Sequence, residues 1–246
     1  KKIMHDKFPR ISYEEAMLIY GSDKPDLRNP ILISDVTNIF ERDDVKFDIF
    51  KKLVKEGSKV RCIVTKKTKD KPRSFFDNID KWAKEQGASG LAYFTIEKDK
   101  KISAKGPVGK FFSEEALKEI MKTTLAEVGD SIFLACNNQK ELDRIISLAR
   151  DKIANDLDLI DDDTFAFCWI VDYPMFERDE QTNKIKFSHN PFSMPQGDLD
   201  KINFEKPLDI LAFQYDIVCN GIELSSGAIR NLILELFYKL FSIAGE

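Results

Sequence analysis

One stretch of sequence decides the fold prediction: Ile210-Leu-Ala-Phe-Gln-Tyr-Asp-Ile-Val-Cys-Asn-Gly-Ile-Glu-Leu-Ser-Ser-Gly-Ala-Ile-Arg230. Two runs rich in apolar residues, Ile210–Cys219 and Ile222–Arg230, flank the dipeptide Asn220-Gly221. Asn-Gly readily adopts the left-handed backbone of a two-residue turn, which makes it the strongest hairpin signal in this chain. The stretch therefore predicts two antiparallel strands joined by a tight turn.

The rest of the last third fits the same kind of sheet. Phe165–Val171 has the apolar and β-branched composition of a buried strand, and Ile185–His189 predicts a short one. Leu232–Ile243 has the periodicity of an amphipathic helix. Three or four strands and one helix leave little to cover both faces of a sheet. We therefore expect a mainly antiparallel and incomplete domain here.

Strand and helix patterns alternate through the middle of the chain. The predicted strands are Val60–Thr65, Leu91–Glu97 and Ile132–Cys136, and the predicted helices are Ser74–Gln86, Glu114–Leu125 and Glu141–Ile153. Nearer the N-terminus, Ser12 and Glu15 form a capping box that predicts a helix over Tyr13–Tyr20. The middle segment has enough apolar faces to bury its own core, so we predict a compact α+β domain.

The charge is unevenly distributed. The 246 residues carry 38 basic and 42 acidic side chains, a net charge of −4. Residues 1–34 have a net charge of +1, residues 35–160 of +3 and residues 161–246 of −8. Asp161, Asp162 and Asp163 mark the change, as polar clusters at linkers do. This pattern predicts a boundary near residue 160.

Composition excludes several classes of protein. With 43 % hydrophobic residues the chain can build cores, which excludes wholesale disorder. The balanced charge argues against a simple polycation that coats nucleic acid. No apolar run approaches the roughly 18 residues of a membrane span. The first residue is Lys1 and no signal-peptide pattern follows, so we expect the chain to begin inside a longer, cytoplasmic protein.

Cysteine and histidine give no metal-binding pattern. The four cysteines, Cys62, Cys136, Cys168 and Cys219, lie at least 32 residues apart, which excludes the paired spacing of zinc and iron–sulfur sites. Only two histidines are present. We expect buried thiols in a reducing compartment.

Glu223 and Arg230 are the first candidates for ligand binding. They lie seven residues apart, and an uninterrupted strand would place them on opposite faces. Ser225-Ser226-Gly227 permits a bulge or turn that would bring both to one face. A carboxylate and a guanidinium side by side would suit a ligand that carries both a cation and an anion. The alternative is a surface ion pair beside a hairpin.

Three further segments carry polar side chains that could act chemically. Ser188-His189-Asn190-Pro191-Phe192 predicts a defined corner, although a lone histidine is more often structural. Tyr20-Gly-Ser-Asp-Lys-Pro-Asp-Leu-Arg28 has four charges after a helix end, which is typical of a solvated loop. Lys66-Lys-Thr-Lys-Asp-Lys-Pro-Arg73 has five positive charges and is either a phosphate-binding cluster or another solvated loop.

Together these segments resemble the central part of the bacterial-type aspartyl-tRNA synthetases, which are class II enzymes. Five segments match in the same order along nearly the whole chain: Phe8–Met17, Tyr20–Arg28, Trp169–Phe176, Ser188–Phe192 and Asn220–Arg230. The resemblance implies an inserted α+β domain over residues 31–160, of the kind called GAD. Residues 1–30 and 161–246 would be two pieces of the antiparallel catalytic domain.

The resemblance implies a reaction and a set of residue roles. Such enzymes activate L-aspartate with ATP to aspartyl-adenylate and transfer it to tRNA(Asp), and in some bacteria also to tRNA(Asn). Arg230 would bind the side-chain carboxylate of aspartate, and His189 would contact the amino acid. Glu223 would lie at ATP, through a Mg²⁺ ion that bridges the phosphates. The family needs no covalent protein nucleophile, and its members are dimers.

The chain also departs from the family. Ser225-Ser226-Gly227 stands where a glycine-rich run is usual, and Asn190 stands where many members have a second histidine. The sequence contains neither of the two class II motifs whose arginines bind the ATP phosphates, nor the anticodon-binding barrel. We therefore expect an internal fragment that is inactive by itself.

Two other interpretations remain open. The inserted segment could be a non-catalytic module that binds RNA or a partner protein through Lys66–Arg73. A subunit of the tRNA-dependent amidotransferase shares the GAD domain and would account for residues 30–160. That subunit would not account for Tyr20–Arg28 or Asn220–Arg230.

Overall fold

The computed structural model describes residues 1–179 and 181–245, and these form a mixed α+β structure. The strands are β1 Lys2–Ile3, β2 Arg10–Ser12, β3 Ile33–Asp35, β4 Lys59–Thr65, β5 Ala92–Lys98, β6 Ile102–Lys105, β7 Ser131–Asn137, β8 Thr164–Phe165, β9 Phe167–Pro174, β10 Phe176–Arg178, β11 Ile185–Phe187, β12 Leu211–Cys219 and β13 Ile222–Ala228. The helices are α1 Tyr13–Tyr20, α2 Asp48–Lys55, α3 Arg73–Glu85, α4 Glu114–Thr124, α5 Gln139–Asp156 and α6 Leu234–Ala244.

These elements divide into two compact units. The hairpin unit consists of Lys1–Met17, Asp23–Arg28 and the described residues from Asp161 onward. The five-stranded unit consists of Leu18–Ser22 and Asn29–Ile160.

The hairpin unit is built on a four-stranded sheet with the strand order β13-β12-β9-β2. Strand β12 is antiparallel to both of its neighbours, whereas the short edge strand β2 is parallel to β9. Asn220 and Gly221 both have positive φ, 53° and 81°, as the predicted tight turn requires. The mainly antiparallel sheet is therefore confirmed.

The hairpin register contains one extra residue. Ile217 pairs with Ser225, but its neighbour Val218 pairs with Glu223, so Leu224 has no partner residue on β12. Such a β-bulge breaks the alternation of side chains between the two faces of a sheet. Side chains before and after Leu224 therefore alternate between the two faces of the sheet in opposite phase.

The five-stranded unit has an antiparallel sheet of order β3-β4-β7-β5-β6, buried on both faces. Along β7, Ile132 and Leu134 enter one apolar core, and Phe133 and Ala135 enter the other. Helix α4 packs into the first core and helices α3 and α5 into the second. This arrangement explains why β7 has an almost unbroken apolar sequence.

A buried arginine ties the start of this unit to helix α5. Arg150 is 1 % exposed, and its guanidinium donates hydrogen bonds to the carbonyl oxygens of Ile31 (2.6 Å) and Asn29 (2.9 Å). It also lies 5.1 Å from the centre of the Tyr20 ring. The Asn29 side chain returns a hydrogen bond to the Arg150 carbonyl at 3.2 Å. These bonds satisfy backbone groups that water does not reach.

Two predicted helix starts, Tyr13 and Glu114, agree with the structure, whereas α5 begins two residues before the predicted Glu141 and ends three after the predicted Ile153. Ser12 and Ser113 accept hydrogen bonds from the backbone N–H groups of Glu15 and Ala116, as N-caps do. The prediction missed strands β3 and β6 and helix α2 of the five-stranded unit. The predicted strand Ile185–His189 ends at Phe187, so His189 lies in a loop.

The cysteines are free thiols. Cys62, Cys168 and Cys219 are buried as predicted, and Cys136 is half-buried. Burial raises the pKa of the Cys136 thiol to about 11. Among the described residues, no helix combines the length and the apolar composition needed to cross a membrane.

Candidate functional site

A cavity of about 420 Å³ in the hairpin unit brings the three predicted site residues, His189, Glu223 and Arg230, together. Among the residues that the structure describes, its lining is Lys24, Tyr173, His189, Asn190, Gln214, Asp216, Glu223, Ser226, Gly227, Ala228 and Arg230. Apart from three small residues, these side chains are polar, charged or aromatic. The cavity is therefore suited to a small polar ligand.

The bulge at Leu224 explains how Glu223 and Arg230 reach one cavity. In a regular strand, a spacing of seven residues places two side chains on opposite faces of the sheet. The extra residue of the bulge reverses this, so that both side chains can lie on the same face. The break lies one residue before the predicted Ser225-Ser226-Gly227. The ion pair that the structure describes for Glu223 is with Lys24, so a surface pair between Glu223 and Arg230 does not account for them.

Strand β12 supplies two cavity residues that the sequence analysis did not select. Gln214 and Asp216 point into the buried side, while Phe213 and Tyr215 are partly exposed on the other. The Gln214 amide donates to the Asn190 carbonyl (3.0 Å) and to Ser193 Oγ (2.8 Å). The sequence contains a signal for these two residues. Ala212, Gln214, Asp216 and Val218 alternate with period two, so Gln214 and Asp216 are polar residues on an otherwise apolar face.

Asp216 is held inside the cavity by a tyrosine. The Tyr173 hydroxyl donates to Asp216 Oδ2 at 2.6 Å. Burial raises the pKa of Asp216, and the tyrosine hydrogen bond opposes that shift. Burial, together with the neighbouring carboxylate, also raises the pKa of Tyr173. The cavity thus contains a carboxylate whose orientation is fixed by a neutral donor.

The predicted corner at Ser188–Phe192 lies beside the end of the hairpin. The His189 ring meets the ring of Tyr173 edge-on, at 4.7 Å between centroids, and that of Tyr13 at 5.7 Å. The Arg230 guanidinium lies 5.5 Å from the centre of the Phe192 ring. Aromatic contacts of this kind restrict the orientation of the histidine and the arginine, and His189 Nδ1 lies 2.8 Å from Ser188 Oγ.

Asn190 uses its oxygen atoms within this corner. Its side-chain oxygen accepts a hydrogen bond from the backbone N–H of Phe192 at 3.0 Å. Its carbonyl accepts from the Ser193 hydroxyl at 2.9 Å and from Gln214. Asn190 therefore shapes the loop that carries His189.

The segment Tyr20–Arg28, which the sequence pattern alone classed as a solvated loop, contributes Lys24 to the cavity. Its Nζ lies 2.8 Å from Asp23 Oδ2 and 3.3 Å from Glu223 Oε2. Burial lowers the pKa of Lys24, but the hydrogen bonds and charges of Asp23 and Glu223 outweigh this and raise it. The later part of the loop is fixed by a fork, because Arg28 Nε and Nη2 donate to the Asp26 carboxylate at 3.0 and 2.7 Å.

The basic segment Lys66–Arg73 belongs to the five-stranded unit and does not line this cavity. The carboxylate of Asp130, 1 % exposed, accepts from Lys66 Nζ (3.0 Å) and from the backbone N–H of Lys67 (2.9 Å). Thr68 Oγ1 lies 2.8 Å from Ser131 Oγ. The segment starts as an anchored turn, and residues 69–73 are exposed beyond it.

The cavity offers oxygen ligands for a metal that arrives with phosphate groups. Asp216 and Glu223 are carboxylates, the ligand type that Mg²⁺ prefers. The described residues contain no group of three or more His, Cys, Asp or Glu side chains that could hold a metal by themselves. One or two carboxylates with phosphate and water is the usual magnesium arrangement at nucleotide sites, so the donor set fits.

Comparison with known proteins gives one consistent family. The model of the family described as tRNA synthetases class II (D, K and N) matches residues 1–246. An aspartate–tRNA(Asp/Asn) ligase of Pelagibacter ubique (strain HTCC1062) is 78 % identical over 245 residues, which are 100 % of this chain and 41 % of the relative.

More distant relatives carry the same name. Those of Wolbachia pipientis wMel and Ehrlichia canis (strain Jake) are 54 % and 52 % identical, over 100 % and 99 % of this chain. The matched part is 40 % and 41 % of those proteins. The chain thus spans about 40 % of the length of the curated relatives that it matches.

Proposed function

The chain belongs to the class II tRNA synthetases of the aspartate, lysine and asparagine group, and from this we propose that it is the part of an aspartate–tRNA ligase that binds L-aspartate and one side of ATP. The observation that carries the proposal is the shared cavity of His189, Glu223 and Arg230. The whole protein would form aspartyl-adenylate from aspartate and ATP and transfer the aspartyl group to tRNA(Asp), and also to tRNA(Asn).

Arg230 would bind the side-chain carboxylate of aspartate. A guanidinium can donate two parallel hydrogen bonds to a carboxylate, and Phe192 restricts its orientation. His189, restricted by Tyr13 and Tyr173, would contact the bound amino acid. The Asp216 carboxylate supplies negative charge for the ammonium group of the same ligand.

Glu223 would hold the ATP side of the cavity. A Mg²⁺ ion bound with ATP would neutralise phosphate charge, and Glu223 is the residue that would bind it. The chain's own contribution would be to orient the α-carboxylate of aspartate for in-line attack on the α-phosphorus of ATP, from which pyrophosphate leaves. This proximity effect needs no protein nucleophile.

The five-stranded unit would be a GAD-like insertion within the catalytic domain, over residues 31–160. The whole protein would be a homodimer located in the cytoplasm, as the resemblance implies.

The exchange of ATP with pyrophosphate, dependent on aspartate, tests the proposed function. We expect no exchange above background for this chain alone, because its sequence contains neither phosphate-binding arginine motif. A chimera in which the chain replaces the matching 245 residues of the Pelagibacter ubique relative should restore exchange. Exchange by the isolated chain would contradict the fragment proposal, and an inactive, folded chimera would contradict the assignment to the aspartate site.

A second candidate function concerns the anchored turn at Lys66–Arg73. The buried Asp130 fixes its start, and the exposed basic side chains that follow would bind a polyanion such as tRNA. This non-catalytic RNA-binding role is compatible with the first proposal. The amidotransferase subunit would account only for residues 30–160, which contribute none of the cavity residues.

Neutralising the basic segment tests this second role. Replacing Lys67, Lys69, Lys71 and Arg73 with glutamine in the chimera should weaken tRNA binding about tenfold or more and lower its salt slope. Filter binding of tRNA(Asp) at several salt concentrations measures both quantities. The matched control replaces four exposed lysines of the same unit with glutamine: Lys52, Lys55, Lys81 and Lys122. An unchanged salt slope leaves only a solvated loop.

A further inference from the structure

The cavity contains an internal ion pair whose position suggests a role beyond recognition of aspartate. Lys24 comes from the loop after α1, and Glu223 comes from the start of β13. Their side chains meet at 3.3 Å, and each is about one third exposed. The two residues are 199 positions apart in sequence, so only the fold brings them together.

The turn before Glu223 lies against the loop that carries Lys24. Asn220, just before β13, accepts a hydrogen bond from the Ala166 N–H at 2.8 Å and donates one to the Thr164 carbonyl at 3.1 Å. Gly221 packs against the loop, since a side-chain carbon there would lie 3.7 Å from the Lys24 carbonyl oxygen. Of the two side chains that form the pair, Lys24 has the longer and more flexible stem.

The charges around Lys24 favour a cation at this position. The ammonium lies between Asp23 and Glu223, and Asp216 is in the same cavity. Arg230 is the other cation of the lining. A divalent ion that binds to Glu223 would enter the field that Lys24 now neutralises, and the two cations would repel each other at this distance.

We propose that Lys24 is a positioning residue for the nucleotide side of the site. When no ligand is bound, its ammonium holds Glu223 in the cavity. A divalent metal must displace the ammonium before it can bind to Glu223. Lys24 thus keeps the carboxylate aimed into the cavity and weakens the binding of metal that arrives without nucleotide. This inference rests on the proposed role of Glu223.

Binding of Mn²⁺ alone to the full 246-residue chain tests the inference, with free Mn²⁺ measured by electron paramagnetic resonance. We expect Lys24→Met to tighten the Glu223-dependent binding about three- to tenfold, because a competing positive charge is removed from a partly exposed site. Lys24→Arg should bind Mn²⁺ as the unchanged chain does. Glu223→Gln should weaken binding, and adding Lys24→Met to it should then have no effect.

A matched control is available in the same unit. Lys186 also bridges two carboxylates, Glu177 at 3.1 Å and Asp179 at 3.3 Å, but does not line the cavity. Lys186→Met should leave the Glu223-dependent binding unchanged, and circular dichroism should show that every variant is folded.

The possible outcomes separate this inference from the proposed function. If Glu223→Gln weakens Mn²⁺ binding but Lys24→Met does not tighten it, the role of Lys24 is wrong and the role of Glu223 stands. If Glu223→Gln has no effect even in the Lys24→Met background, the inference is wrong. The nucleotide role of Glu223 concerns metal that arrives with ATP, and Glu223→Gln in the exchange assay of the chimera tests it separately. Aspartate binding through Arg230 is tested independently of either result.

Discussion

Replacing Arg230 with alanine in the chimera is expected to lower kcat/KM for aspartate by about 30- to 5,000-fold. The guanidinium is the lining cation beside the Phe192 corner, and a bound carboxylate would lose its charged partner. Losing such a partner costs about 2–5 kcal/mol, which corresponds to this range of rates. Pyrophosphate exchange at varied aspartate concentration measures it.

Two controls make this result specific. Arg178 is an exposed arginine of the same unit, and its described hydrogen bonds are to the nearby Asn183. Arg178→Ala should therefore change kcat/KM less than twofold. Arg230→Lys keeps the charge but loses the two-pronged geometry, so it should recover part of the loss. A normal KM for aspartate in Arg230→Ala would overturn the assignment of Arg230.

The second large effect is on stability. Arg150→Met should destabilise the five-stranded unit by about 3 kcal/mol, because the carbonyl oxygens of Ile31 and Asn29 lose buried charged donors. Methionine keeps most of the apolar stem, which limits the loss of packing. The substitution therefore isolates the contribution of the guanidinium.

Urea unfolding followed by tryptophan fluorescence measures this effect. Trp82 reports on the five-stranded unit, so the variants are made in a Trp169→Phe background. The unfolding midpoint should fall by about 1 M or more. Arg144→Met on the same helix removes an exposed arginine and should cost less than about 0.5 kcal/mol. Equal shifts for the two variants would contradict a special role for the buried guanidinium.

Local chemistry accounts for the parts of the fold that the sequence predicted well. Asn220-Gly221 predicted the turn, and Ser12 and Ser113 predicted two helix starts, because each acts on residues within a few positions. The apolar run of β7 predicted a buried strand. Strands β3 and β6 and helix α2 were missed because no such local signal marks them, and Phe47 before α2 provides no side-chain cap.

The candidate site divides in the same way. The residue types of His189, Glu223 and Arg230, and the family resemblance, follow from the sequence. Their meeting in one cavity depends on the bulge at Leu224, and that bulge is set by pairing with β12. One residue of register reverses which face a side chain occupies, and short sequence patterns do not determine register.

The sequence by itself determined the kinds of secondary structure and the hairpin, and it predicted the chemical character of the ligand. Only the tertiary structure decided that Lys24 lies against Glu223, that Asp216 points inward, and that Asp130 anchors the basic segment. The physical reason is that these contacts join residues between 43 and 199 positions apart, as with Tyr173 and Asp216. Burial and strand register, which are properties of the whole fold, bring such side chains together.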